Sequence, residues 1–337
     1  MKAFVSGCEG LSLTADEVAF FADQQPFGLI LFKRNCDSRD QLRGLIARFR
    51  EAVGREDAQV LIDQEGGRVQ RMGPPHWRAY PPARSIGDLY LEDPEEGRRA
   101  GYLLARLIAG ELAEVGFSID CLPVLDVTQP DVHKAIGDRG FGSDPGIVAV
   151  LGRAIADGLR DGGILPVIKH MPGHGRARVD SHHDLPVVDA EIHDLEDTDF
   201  RPFQELKTLP IGMTCHLVYT AIDPDRPATH SPVVIADIIR GTIGFEGLLL
   251  TDDLSMNALA GTIAERAANA LQAGCDIALH CNGELDEMIA VADVSPELAG
   301  TSLERVERAR DWLRPAEPFD AVDGYAELND LVGVSGT

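Results

Sequence analysis

Nowhere in the 337 residues does an apolar run approach the roughly 18 residues a bilayer-spanning helix needs, so no membrane span is expected. The opening stretch, MKAFVSGCEGLSL, has no basic head followed by an apolar segment of about 7–15 residues, which makes it a poor secretory signal. Positive charge is scarce too. Lys and Arg number 31 against 55 Asp and Glu, a net charge of -24, which argues against nucleic acid or an anionic membrane as the main partner. A small, partly anionic ligand held by a few local Arg or Lys remains compatible with it. The six cysteines, at 8, 36, 121, 215, 275 and 281, form no CxxC pair and no dense spacing. At this length they read as free thiols in a reducing compartment, and a soluble cytoplasmic protein is the expectation. Repeats, low-complexity blocks and interdomain linkers are also missing.

What is present is an ordinary globular composition, 44% hydrophobic and 26% charged, able to bury a full core. Short apolar runs recur between polar and turn residues, as buried parallel strands do. They are KAFVSG (2–7), FGLILF (27–32), AQVLID (58–63), FSIDCLPVLDV (117–127), GILPVIKH (163–170), PIGMTCHL (210–217), GLLLTDD (247–253) and CDIALHC (275–281). Most gaps hold a helical pattern. SRDQLRGLIARFREAV offers Ser38 or Asp40 as a cap, and PEEGRRAGYLLARLIAGELAEVG ends at Gly116. DPGIVAVLGRAIADGLRDGG, SPVVIADIIRGTIG and TIAERAANALQAG precede the fifth, seventh and eighth runs. Eight strands alternating with helices predict an α/β fold, a single-domain (β/α)8 TIM barrel over 1–337. A doubly wound sheet is disfavoured, because no GxGxxG follows the first strand. From about 315 the chain turns acidic and Pro/Gly-punctuated, and reads as a C-terminal surface extension.

Barrel enzymes carry their reacting groups at the C-terminal ends of the strands. Here the third run ends in Asp63, the fifth in Lys169-His170, the sixth runs into His216, and the seventh ends in Asp252-Asp253. One charged strand end is ordinarily a solvated rim residue; several converging ones suggest a site. Asp252 follows Gly-Leu-Leu-Leu-Thr, and a carboxylate there can attack an anomeric carbon. Strand alternation turns Asp253 elsewhere, toward a capping or structural role. After the fifth run come His170, His174, His182 and His183, with Asp180 two residues before His182. An Asp–His pair can fix the imidazole tautomer and raise its basicity, which suits a proton shuttle. A solvated His-rich loop is the bland alternative, preferred for His183. The same histidines with Asp180 and Asp252 also invite a zinc site. Against that reading stand the missing HExxH and early HxH motifs, and the cation of Lys169.

Taken together, IDQEGGRVQRM (62–72), GDRGFG (137–142), KHMPGHG (169–175), DSHHDLP (180–186) and TDDLSM (251–256), with FKRNC (32–36), resemble the β-N-acetylhexosaminidases of glycoside hydrolase family 3. The match runs in the family's order from about residue 3 to 285. The resemblance implies a retaining β-N-acetylhexosaminidase with Asp252 as nucleophile, His182 as acid/base and Asp180 as its partner. Sugar-binding roles fall on Asp63, Arg71, Arg139, Lys169 and His170, where Asp63 would accept from hydroxyls and the cations would donate. For the bacterial branch that recycles cell-wall muropeptides, it implies terminal N-acetylglucosamine as donor and 1,6-anhydro-N-acetylmuramyl peptides as substrate. A monomer is expected, with no metal or organic cofactor. Two departures stand out: Met171 where the family usually has Phe, and Arg176-Ala177 where an acidic or small polar residue is common.

A histidine in place of a second carboxylate is neutral once it has given up its proton and does not repel an incoming anion. A phosphorylase acting at the same site is therefore the alternative within the enzyme class. A metal-dependent hydrolase and a non-catalytic sugar-binding barrel are the readings from other classes.

Overall fold

In a computed structural model that describes residues 1–129, 136–177 and 185–333, the apolar runs form one parallel sheet of eight strands. In chain order these are β1 (Lys2–Ser6), β2 (Pro26–Leu31), β3 (Gln59–Ile62), β4 (Ile119–Asp120), β5 (Leu165–Met171), β6 (Ile211–Thr214), β7 (Leu248–Leu250) and β8 (Ala278–His280). Their spatial order is β7-β6-β5-β4-β3-β2-β1-β8. The two ends meet through the parallel bridge between Leu250 and Ile277, with the Thr251 N–H donating to the Ile277 carbonyl at 3.0 Å. The sheet is thereby closed as a (β/α)8 barrel, the expected fold.

Strand alternation divides the apolar side chains into two layers. Val5, Ile30, Leu61, Ile119, Val167, Met213, Leu250 and Leu279 pack inside the barrel. Phe4, Leu29, Ile62, Ile168 and Leu249 face outward under the helices. Five cysteines (8, 121, 215, 275 and 281) are buried, and all six thiols are free.

The fourth run is less regular than its sequence predicts. Only Ile119–Asp120 pairs as strand, because Pro123 has no N–H to offer a ladder. The chain stays docked by its carbonyls instead: Leu122 accepts from Val167 N–H at 3.0 Å and Pro123 from Lys169 N–H at 3.2 Å. That irregular passage carries the chain across the barrel mouth to Asp126.

The helices begin and end where their caps put them. Ser38 caps Arg39–Val53, accepting from Gln41 N–H, and Asp93 and Asp144 cap Pro94–Val115 and Pro145–Asp161. Gly116 closes the long helix in the left-handed region, at φ 106°. Thr262 and Glu265 form a reciprocal capping box ahead of Ile263–Ala273. Val234–Thr242 is wound as a π-helix. The C-terminal segment folds as the helix Ala321–Val332, which lies on Pro94–Val115, buries Leu328 and pairs Glu327 with Arg99 through two contacts of 2.7 Å.

Candidate active site

Continuing each strand by its alternation shows what must crown the barrel. Leu61, Val167 and Leu250 point inward, so Asp63, Lys169 and Asp252, each two residues further on, point inward as well. All three line one cavity of about 330 Å³ at the C-terminal mouth, together with Arg71, Arg139 and His170. A shift of register between Ile168 and Met171 lets Lys169 and His170, adjacent in sequence, reach the same space.

The cavity is wired by a buried chain of charges. Lys169 Nζ donates to Asp63 Oδ1 at 2.8 Å and contacts Glu65 Oε1 at 2.7 Å. Arg71 donates to Asp63 Oδ2 at 3.0 Å, and Arg139 forks onto both Glu65 oxygens at 2.8 Å each. Burial alone would raise these carboxyls, but the facing cations outweigh it: Glu65 is held at about 2 and Asp63 well below the usual range. Lys169 in turn is held above its ordinary value despite burial, by Asp63 and Glu65. The array presents ionised donors and acceptors already paired, ready to exchange partners with a polyol.

Local folding explains how the array is held. Gln64 turns its side chain back on its own loop, accepting from the N–H groups of Arg71 and Met72 at 2.9 and 3.0 Å and donating to the Met72 carbonyl at 2.8 Å. Asp120 accepts the Gln64 N–H at 2.9 Å. Gly66 turns there at φ 90°, in a space where a Cβ would meet the Pro81 carbonyl oxygen at 2.5 Å. The Arg71 guanidinium lies over the Phe32 ring, 5.1 Å from its centre. Asn35 joins the loops after β2 and β1, accepting from Phe32 N–H and donating to the Gly10 carbonyl at 2.7 Å.

Opposite the array, Asp252 is half-buried and accepts the Asp253 N–H at 2.8 Å. Burial pushes its carboxyl up, but His170 and then His216 outweigh that and keep it below the ordinary carboxylate value. Asp253 is not turned away from the cavity, which it also lines, but its carboxylate has a structural part. It accepts from Ser255 and from the Cys281 N–H at 3.1 Å, tying β7 to β8. His216 Nε2 donates to the Asp253 carbonyl at 2.9 Å, and Nδ1 meets Thr229 Oγ1 at 2.8 Å. Burial lowers the pKa of His216, and its two hydrogen bonds steady this turn.

Five of the predicted site residues therefore meet at one cavity with Asp252, whereas Asp180 and His182 lie outside the described residues. The sequence reading missed two participants. Glu65 sits inside the IDQEGG segment and is fully paired; Asp126 binds His170. Glu65 stands two residues beyond Asp63, and Asp126 lies within the fourth apolar run, so neither ends a run as Asp63 does. Of the two departures, Met171 is enclosed, packed against Gly212 of β6, and Arg176 donates to Asp199 Oδ2 at 2.6 Å and to Thr198 at 2.8 Å. Among the described residues no three His, Cys, Asp or Glu side chains converge as a metal site.

Comparison with known proteins extends this geometry. Residues 8–309 match the family Glycosyl hydrolase family 3 N terminal domain. A β-hexosaminidase of Chromobacterium violaceum is 38% identical over 333 residues, covering 96% of this chain and 92% of that protein. One from Alkalilimnicola ehrlichii is 40% identical over 280 residues, covering 82% and 79%. NagZ from Neisseria gonorrhoeae, solved in complex with N-trifluoroacetyl-D-glucosamine, superposes with a TM-score of 0.86 at 30% identity, covering 98% of this chain and 97% of that one.

Proposed function

The chain belongs to glycoside hydrolase family 3 and is a β-N-acetylhexosaminidase, and we propose that it removes terminal β-linked N-acetylglucosamine with retained configuration, through a covalent glycosyl ester on Asp252. The observation that carries this reading is the place of Asp252, an ionised carboxylate facing the Asp63–Lys169–Glu65–Arg139 array across a cavity sized for one sugar ring. In the first step an Asp252 oxygen bonds to the anomeric carbon as the glycosidic bond breaks, and His182 gives its proton to the leaving oxygen. In the second, neutral His182 takes a proton from water, whose oxygen attacks the same carbon and frees Asp252. Two inversions return the starting configuration. Asp180 fixes the His182 tautomer; for this pair the support is the DSH motif alone.

Asp63 accepts from ring hydroxyls, Lys169, Arg71 and Arg139 donate, and His170 presents its Nε2 to the sugar. The N-acylated glucosamine held by the gonococcal relative supports the same sugar class in this donor pocket. The leaving group is read as a 1,6-anhydro-N-acetylmuramyl peptide. Six free thiols support action in the reducing cytoplasm.

Mass spectrometry of products from anhydro-muropeptides tests the reading directly. The wild type should release free N-acetylglucosamine, and Asp252→Asn should lose roughly 10³-fold or more in kcat while melting normally. A variant with near wild-type rates would overturn the nucleophile. N-acetylglucosamine 1-phosphate accumulating with added phosphate would make the enzyme a phosphorylase.

A further inference from the structure

One enclosed carboxylate at the barrel mouth belongs to none of the sugar contacts. Asp126 is 0% exposed, on the irregular passage after β4, and does not line the cavity. Its Oδ2 lies 2.6 Å from Nδ1 of His170. Its Oδ1 accepts two backbone N–H groups, from His170 at 3.2 Å and from His174 at 2.6 Å. Three contacts from one side chain thus hold both ends of the stretch from His170 to His174.

We propose that Asp126 is a positioning residue for the glycosidase reaction: it locks the His170 imidazole with a proton on Nδ1 and aims Nε2 at the substrate beside Asp252. This rests on the reading that the cavity binds the hexosamine. An ionised carboxylate only accepts, so the nitrogen facing it must carry the hydrogen. Burial would raise the Asp126 carboxyl, yet His170 outweighs it and holds it at about 2, so it stays acceptor-only at working pH. With Nδ1 committed, the ring meets a ligand only through Nε2, which takes no hydrogen bond from any described residue, while the ring itself lines the cavity. Among the described residues, the charged and titratable groups around the ring include Asp126, Asp252, His174 with its ring 5.6 Å away, and His216. Moving the proton to Nε2 would turn the acceptor facing the sugar into a donor, and turning the ring over would put carbon in its place. The arrangement follows the logic by which a buried carboxylate orients a working histidine elsewhere.

The test reads the tautomer apart from activity. In the 15N-labelled full chain, His170 is assigned as the ring signal missing from His170→Gln. The expected result is a proton on Nδ1, both when the ring is neutral and when it is charged. A neutral ring protonated on Nε2 overturns the proposal without any variant at position 126. In Asp126→Asn, the side-chain amide should draw the neutral ring to the Nε2–H form, and kcat should fall roughly 100-fold with KM changed much less. A reversed tautomer with kcat within a few-fold of wild type overturns the positioning role, as does lost kcat with the Nδ1–H tautomer intact. A wild-type protein without activity on N-acetylglucosaminides would instead count against the functional reading, leaving the tautomer result standing by itself.

Discussion

At the scale of single residues, the donor pocket is governed by groups that bind other side chains as much as by those that meet the sugar. Glu65 is 4% exposed, with Arg139 and Lys169 both anchored on it. Replacing it by Gln leaves two buried cations short of their counter-charge, a loss of about 3–5 kcal/mol when one partner of a buried pair is removed. The same change lets Arg139 and Lys169 drift from the ring hydroxyls, contacts made in the ground state and transition state alike. Glu65→Gln should therefore raise KM about 10- to 100-fold, the worth of one charged hydrogen bond of about 1.5–3 kcal/mol, with kcat less affected. Steady-state kinetics with a chromogenic N-acetylglucosaminide, alongside urea denaturation, checks both halves. A change confined to kcat would mean that Glu65 acts on the chemical step instead.

Elements reach the site through close backbone approaches, and the loop after β5 depends on one. A Cβ on Gly175 would lie 1.8 Å from the Val127 carbonyl oxygen, so alanine there must lift the loop off the passage after β4. Gly175→Ala should cost about 1–3 kcal/mol of stability and lower kcat by pulling the His174 N–H from Asp126. Gly110, exposed within the helix Pro94–Val115 with nothing near its Cβ position, supplies the contrast. Gly110→Ala should stabilise the protein by about 0.5–1 kcal/mol with unchanged kinetics. Melting temperatures moving in the same direction for both would refute the close-approach argument. The barrel was legible in the sequence because parallel strands buried on both faces leave uninterrupted apolar runs. Asp63, Lys169 and Asp252 were legible because each ends such a run. The curtailed β4 was not, since an apolar run does not show how far Pro123 interrupts the pairing. Glu65 and Asp126 escaped for another reason. Their partners Arg139 and His170 lie 74 and 44 residues away, and a pairing at that distance leaves no local pattern.

For the whole molecule, burial at the mouth links the site to acid stability. His174 is enclosed, and burial lowers its pKa from 6.5 to about 4. His230 is lowered to about 4 as well, by burial and then by His216. The unfolded chain therefore takes up these protons first as pH falls. The stability they contribute is complete above 6.5 and lost by the time pH has dropped through about 4. Glu65 and Asp126, each held at about 2, continue the loss below their ordinary values of 4.5 and 3.8. Asp120 works in the opposite sense. Burial raises its carboxyl, so its share is full at low pH and lost as pH rises through the raised value. The net charge of -24 adds self-repulsion that salt screens, so the comparison belongs at constant ionic strength. Urea midpoints should fall between about pH 7 and about pH 4, and His174→Gln, which removes one of the buried titrating rings, should make that fall shallower. A slope unchanged by the substitution would show that His174 does not link folding to protons, and would leave His230 as the group to replace next.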